Sequence, residues 1–392
     1  MMIPCKNITM PGSWGIALDI GYSGVKVFSP NMIATFPAFA MPAKGKLMNV
    51  TTENDTQNIF YRENENAQVW MVGKCAQNAI STQDPDTSSM AIYGRQRYFD
   101  PMFLVLARTA MALAMTKNEY GDPDGLIPIM ETGLPNTYLK ADSALLKEVL
   151  EGFHSFDLKV GTDNWRHYEF TFAKGNVAVM PQPLGTLMSV GTGKDGRPIP
   201  AAGDYYSSSV LICDPGFGTM DFFSVKGLVM GNMETFDTLG MKQVLLNTSE
   251  EIFNRYRVEI PVPAMQKYLD KGYITKFDRK TRKGENIDFS DILEKCSREV
   301  AMNAVDKIST LYQDLLEYKY FVVTGGTGEA WMPYLTEAFG SIPDLTIIPG
   351  NQNTDGMWVD ENGIAKPLPF IFSNVRGYYM YLYSKLQKGA SA

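Results

Sequence analysis

Apolar positions in this chain fall into short blocks punctuated by glycine, proline and small polar residues. The first clear block, WGIALDIGYSGVKVF (Trp14–Phe28), reads as strand, glycine-containing turn and strand. The segment NMIATFPAFAMPA that follows offers a third strand. Residues 50–100 are polar and broken by Asn, Asp and Ser, with one apolar run at Val69–Val72, and read as an excursion from a core. FLVLARTAMALAM (Phe103–Met115) contains Arg108 and is shorter than the ~20 residues that cross a bilayer, so it predicts a buried helix over about Pro101–Asn118. Ile127–Pro135 reads as a buried strand ending in a turn, and Ala141–Gly152 as a helix with Gly152 at its C-cap. Two strand-like runs follow at Tyr168–Phe172 and Val177–Met180, then a turn through PQPLG into a short helix.

Gly191–Asp204 (GTGKDGRPIPAAGD) is the strongest linker signal. Beyond it, SSVLICDPGFGTMDFFSVKGLVM repeats the opening plan, so the Asp at the turn recurs 195 residues apart, at Asp19 and Asp214. Two longer helical segments come next, separated by a basic hairpin, Lys276–Phe289. Tyr318–Trp331 is strand, glycine loop and helix start, and FSNVRGYYMYLYSKL closes the chain in a helical pattern. Echoed units suggest two related halves facing each other.

Composition narrows the classes. A chain of 392 residues suggests two or three domains, and 45% apolar with 20% charged residues is an ordinary globular mix. Lys+Arg number 36 against Asp+Glu 43, a net charge of −7, which disfavours nucleic-acid binding by bulk charge. Four cysteines without a C-x-x-C pair suggest reduced thiols, and two histidines disfavour multi-histidine metal chemistry. The N-terminus shows no basic-then-apolar leader pattern, so the expected location is cytoplasmic, with no membrane partner.

Three glycine turns carry the candidate chemistry. DIGYSGVK sets Asp19 at a strand end, Gly21, Tyr22, Ser23 and Gly24 in the turn, and Lys26 on the return strand. DPGFGTMD gives Asp214, Gly216, Phe217, Gly218 and Thr219, and VTGGTGE places Gly325, Gly326, Thr327 and Gly328 between a strand and a helix. A single Asp-x-Gly turn is what any hairpin wants. Two Asp-x-Gly turns together with a third glycine loop make anion cradles, because glycine lets backbone N–H groups approach phosphate closely. Two carboxylates beside phosphate require a cation between, and Mg²⁺ held through its waters by Asp19 and Asp214 satisfies that; Lys26 adds a point charge. Other phosphate and nucleophile motifs fail. GTGKD lacks the earlier glycine of a P-loop, GFGTMD has Asp221 at the third Rossmann glycine, and GYSG is not a nucleophile elbow.

In this order the pieces resemble the actin-like ATPase superfamily of actin, heat-shock ATPase chaperones and sugar kinases. The first phosphate loop (DIGYSGVK), first connecting segment (MPQPLGTLMSV), second phosphate loop (DPGFGTMD), adenosine loop (VTGGTGE) and second connecting segment (SNVRGYYMYLY) all occur in sequence. Gly133–Pro135, the PQP segment and RGYY look most like the ParM-like bacterial actins that segregate plasmids. The resemblance implies an α/β actin-like fold of two related domains around a nucleotide cleft. Residues 1–190 plus 372–392 would form domain I, with a small subdomain at about 45–95; residues 191–371 would form domain II, with one at about 235–315. It also implies that Gln182 orients the attacking water. A neutral Gln can place water but hardly accept its proton, which implies slow hydrolysis. Gly325–Gly328 would meet adenosine, with Lys242 flanking the base.

The implied function is an Mg-dependent ATPase that self-assembles into filaments, with ATP, or alternatively GTP, as nucleotide. Plasmid DNA would be held through a DNA-binding adaptor. Alternatives are a sugar- or acetate-type kinase and a cell-shape actin; a chaperone is disfavoured by the short tail after Gly377. The cluster Arg279, Lys280, Arg282 and Lys283 reads as a solvated hairpin tip, and Tyr378–Tyr383 as helix core.

Overall fold

The computed structural model describes residues 1–45, 47, 56–79, 95–269, 271–278, 280–360 and 362–390. Arg279 lies outside the described residues, as do residues 46, 48–55 and 80–94 of the polar stretch. Two open sheets organise the chain. In the first half, the strands Met2–Pro4 (β1), Ser13–Ile20 (β2), Gly24–Ser29 (β3), Met32–Pro37 (β4), Ile127–Leu134 (β5) and Val177–Pro181 (β6) lie in the order β1-β4-β3-β2-β5-β6. In the second half, Ser209–Pro215 (β7), Met220–Lys226 (β8), Val229–Phe236 (β9), Tyr320–Val323 (β10) and Thr346–Pro349 (β11) lie in the order β9-β8-β7-β10-β11.

Setting β1 aside, the two orders are the same. Each half has three antiparallel strands joined by hairpins, followed by two parallel strands reached by crossovers. The sequence echo is therefore a topological repeat. Its register is equally close: Asp19 pairs with Lys26 across the first hairpin, and Asp214 with Asp221 across the second.

Both sheets are covered on two faces, which explains their almost unbroken apolar strands. In the first, Ile16, Leu18, Val25 and Val27 pack towards the helix Pro101–Ala114 (α1), while Ala17, Phe28 and Ile33 pack against the C-terminal helix. α1 starts where Asp100 accepts the Met102 amide at 2.8 Å and Pro101 sits without a donor to waste. It stops at Ala114, four residues earlier than expected, as the chain enters the turns around Asn118–Gly121 and Asp122–Asp124. The helix Asn136–Leu150 (α2) also differs from expectation: it starts five residues earlier, and Gly152 (φ +99°) opens a strand instead of capping it.

That strand, Gly152–Val160, was not legible from the pattern. It pairs with Arg166–Phe172 and Ile59–Arg62, and Trp70–Val72 and Ala40–Pro42 complete a second five-stranded sheet in this half. The polar excursion is thus tied into a sheet by residues from a hundred positions later.

In the second half, Leu211, Cys213, Phe222 and Phe321 pack beneath the helices Met241–Tyr256, Ser290–Tyr312 and Gly326–Phe339. Its opposite face, with Val210, Ile212 and Phe223, receives Leu187 and Val190 from the helix Gln182–Val190 (α3). The last helix, Ser373–Ala390 (α4), buries Tyr378 and Tyr379 under the first sheet. α3 and α4 cross between the halves, and Gly185 and Gly377 allow it: a Cβ on Gly377 would lie 1.6 Å from the Gly185 carbonyl oxygen. The basic hairpin is a two-stranded sheet, Tyr273–Asp278 with Lys283–Asp288, and Lys280, Arg282 and Lys283 are exposed at its tip. Among the described residues no helix is long and apolar enough to cross a membrane.

Candidate functional site

The hairpin turns of the two sheets face one another across a cavity of about 380 Å³, within the ~300–1,000 Å³ of small-molecule sites. Each turn is closed in the same way. The Gly21 N–H donates to the Gly24 carbonyl at 3.0 Å, and 195 residues on the Gly216 N–H donates to the Thr219 carbonyl at 2.8 Å. The carboxylate that ends each first strand points into the cavity: Asp19 is 3% exposed and Asp214 6%.

Asp19 accepts from Lys26 Nζ at 3.0 Å and from Gln182 Nε2 at 3.1 Å. Only the amide nitrogen can donate to a carboxylate, so the Gln182 oxygen is the acceptor left for a ligand or water. Asp214 accepts from Asn374 Nδ2 at 2.6 Å; Asn374 in turn accepts from Thr186 at 2.7 Å, and Thr186 also reaches Thr324 at 3.0 Å. Both crossing helices therefore grip the site, α3 through Gln182 and Thr186 and α4 through Asn374.

Asp221 is the counterpart of Lys26 and completes the acidic wall. Its carboxylate accepts from the Thr219 hydroxyl at 2.9 Å and from Thr235. Burial pushes Asp221 up to about 7, against the Thr235 hydrogen bond and with the Asp214 charge adding to the rise. Burial likewise pushes Asp214 up to about 6, opposed by Asn374 and reinforced by Asp19. Burying these carboxylates together favours a cation or a proton among them.

The third glycine loop closes one end. Gly325 has φ +77°, and a Cβ there would sit 2.4 Å from Asp214 Oδ1 and 2.6 Å from the Pro215 carbonyl, so only glycine fits. Thr327 donates to the Gly216 carbonyl at 2.7 Å, locking this loop onto the second turn. Across the mouth, Lys267 donates to the Asn78 carbonyl at 2.8 Å, joining the helix Val262–Leu269 to the helix Lys74–Ala79 of the other half.

The structure brings together Asp19, Gly21, Tyr22, Ser23, Lys26, Gln182, Asp214, Gly216, Phe217, Thr219, Gly325, Gly326 and Thr327 as lining residues. Gly24, Gly218 and Gly328 lie behind that surface: Gly24 closes its turn, Gly218 abuts the Tyr22 ring, and Gly328 abuts Pro215. Met241 lines the cavity, whereas its neighbour Lys242 is not among the lining residues. Sequence reasoning missed Lys74, Gln77, Arg97, Asp221, Gln266, Phe370, Ile371 and Asn374. Only Asp221 and Asn374 carried a local signal, one by its place in the echo and one by its place in the second connecting segment. Among the described residues no group of three or more His, Cys, Asp or Glu could hold a metal ion.

Residues 17–185 match the family model of the actin-like proteins' N-terminal domain. No curated protein matches the chain. Among solved structures, a 15-stranded ParM filament from Clostridium botulinum is similar over 95% of this chain and 99% of its own, with a TM-score of 0.71 at 19% identity. A non-polymerisable quadruple mutant of pCBH ParM is similar over 97% of this chain and 100% of its own, with a TM-score of 0.69 at 19% identity. An archaeal actin homologue in complex with ADP covers 95% of this chain and 99% of its own, with a TM-score of 0.60 at 13% identity. At such identities the likeness establishes the fold. Residues 17–185 are thus similar to the N-terminal domain of the actin-like proteins, and the chain has the actin-like fold along nearly its whole length, similar in structure to ParM and other actin homologues.

Proposed function

We propose that the protein is a filament-forming ATPase whose two domains, residues 1–190 with 372–392 and residues 191–371, close on Mg·ATP and separate after hydrolysis. One observation carries this reading: two equivalent Asp-ended turns, on topologically repeated sheets, face a single cavity that glycine at position 325 keeps open. The Asp19–Lys26 and Asp214–Asn374 hydrogen bonds pre-organise the carboxylates, so little reorganisation accompanies binding. Magnesium bound through water would screen these carboxylates from the β/γ-phosphates and neutralise charge there. The amides of the two turns would hold phosphate oxygens, and the 325–327 loop, beside Met241 and Ile371, would take the adenosine end. Gln182, with its nitrogen fixed on Asp19, would present its carbonyl oxygen to a water hydrogen and so orient the attack. Lacking a strong base, hydrolysis would be slow and serve as a timer. The relatives named as filaments support self-association as the output. Cytoplasmic plasmid segregation through a basic adaptor fits a net charge of −7, which needs an intermediary to hold DNA.

Sedimentation and light scattering test it. Mg·ATP should drive the protein into a pellet above a threshold concentration, and polymer should decay as ATP is consumed. Gln182→Ala should still assemble, turn over roughly 10–1000-fold more slowly and hold polymer longer. Flat scattering with ATP and with GTP would refute the filament, and wild-type decay in Gln182→Ala would refute the water-positioning role.

A further inference from the structure

Arg97 sits in the short helical turn Arg95–Phe99 ahead of α1 and is 6% exposed. Its guanidinium lies 5.0 Å from the centre of the Tyr22 ring, 5.3 Å from that of Tyr98 and 5.5 Å from that of Phe103. These rings support the cation through their faces but leave the N–H edges, five donors in a planar fork, without acceptors. Among the described residues no carboxylate or carbonyl hydrogen-bonds to it. Its donors are thus available to an anion that enters the cavity. It lines the cavity together with Asp19, Lys26 and Gln182.

Tyr22 fixes which part of the cavity Arg97 serves. Tyr22 is in the first turn, and its ring also presses on the second: a Cβ on Gly218 would meet Tyr22 Cδ2 at 2.7 Å. Arg97 therefore stacks on the ring that joins the two turns. Charge is segregated in the same sense. The first half contributes the cations Lys26, Lys74 and Arg97, while the position equivalent to Lys26 in the second half is Asp221.

We infer that Arg97 is a phosphate-reading residue, its guanidinium fork binding the terminal phosphate of a nucleoside triphosphate and reporting its presence to the Tyr22–Gly218 contact between the halves. This rests on the nucleotide reading above. Planar bidentate recognition is what an Arg supplies and a Lys does not. Arg97 would thereby make the closed arrangement specific for the triphosphate over the diphosphate.

The test is calorimetry of the full-length protein with Mg²⁺ and ADP, ATP or a non-hydrolysable triphosphate, on the parent, Arg97→Met and Arg97→Lys. Met keeps an apolar stem over the three rings, and Lys keeps the charge without the fork. Triphosphate affinity should fall about 10–100-fold in Arg97→Met and less in Arg97→Lys, with ADP affinity unchanged in both. The melting temperature without nucleotide monitors packing. If ATP and ADP affinities fall together, or neither falls, Arg97 is a packing residue and the inference is overturned while the nucleotide site stands. If the parent binds no nucleotide, both are overturned.

Discussion

The crossing of α3 and α4 gives the sharpest mechanical test, through Gly377→Ala. The new methyl would start 1.6 Å from the Gly185 carbonyl oxygen and 2.4 Å from its carbon. Both obstacles are helix backbone, so no side chain can swing aside. Restoring an ordinary contact of about 3.4 Å requires the helices to part by about 1.8 Å. Overpacking of this kind costs about 1–3 kcal/mol, and backbone against methyl belongs at the upper end. Alanine returns about 1 kcal/mol of helix propensity, leaving a net loss of about 2 kcal/mol.

The same displacement reaches the site. Asn374 lies one turn before Gly377, and Thr186 is adjacent to Gly185; their 2.7 Å hydrogen bond, and the 2.6 Å bond from Asn374 to Asp214, do not survive a shift near 1.8 Å. Gly377→Ala should therefore lower both the urea midpoint and the affinity for Mg·ATP. Gly203→Ala is the control, since that helical glycine has nothing within 4 Å of its Cβ position and should be neutral or slightly stabilising. Equal midpoints and equal affinities for Gly377→Ala and parent would refute the claim that this contact sets the distance between the helices and so the geometry of Asp214.

Two further outcomes follow from the carboxylates. Asp19→Ala and Asp214→Ala should each weaken Mg·ATP binding strongly in calorimetry, and Asp19→Ala should also release Gln182 and slow turnover; parent-like affinity in either variant would sink the metal assignment. Asp221 has its folded-state pKa raised to about 7 from 3.8, so the folded state holds its proton over pH 4–7 where the unfolded chain has lost it. Nucleotide-free stability should accordingly fall as pH rises through that window, and Asp221→Asn should remove part of the fall, leaving what Asp214 (about 6) and buried Glu131 (about 7) impose. Urea midpoints at pH 5 and pH 8 that drop equally in parent and variant would show that Asp221 does not titrate between folded and unfolded states.

What could be read from the sequence, and what could not, follows sequence separation. The two turns were legible because each must contain an Asp or Gly at fixed offsets to close on itself, at Gly21–Gly24 and again at Gly216–Thr219. Once that echo is aligned by strand register, Asp221 falls opposite Asp214 as Lys26 falls opposite Asp19, but spacing alone gave no reason to prefer it over a solvated acid. The strand Gly152–Val160 escaped for a related reason. Its inward positions are His154, Phe156 and Leu158, and a buried His paired with Arg108 breaks the apolar alternation that marks a strand. Arg97 needed a floor assembled from residues 22, 98 and 103, and Asn374 an acceptor 160 positions away. Gly185 and Gly377 show the limit most plainly. Each alone is a weak point in a helix, and only their contact across 192 residues makes both necessary. Of these contacts the Asn374–Asp214 bond joins the two proposed domains, and a bond of that kind changes when they move relative to one another, while Gly185–Gly377 and the Arg97 floor hold the first domain's own geometry. Those residues are the hardest to find by local pattern, and their substitution should alter binding and stability together.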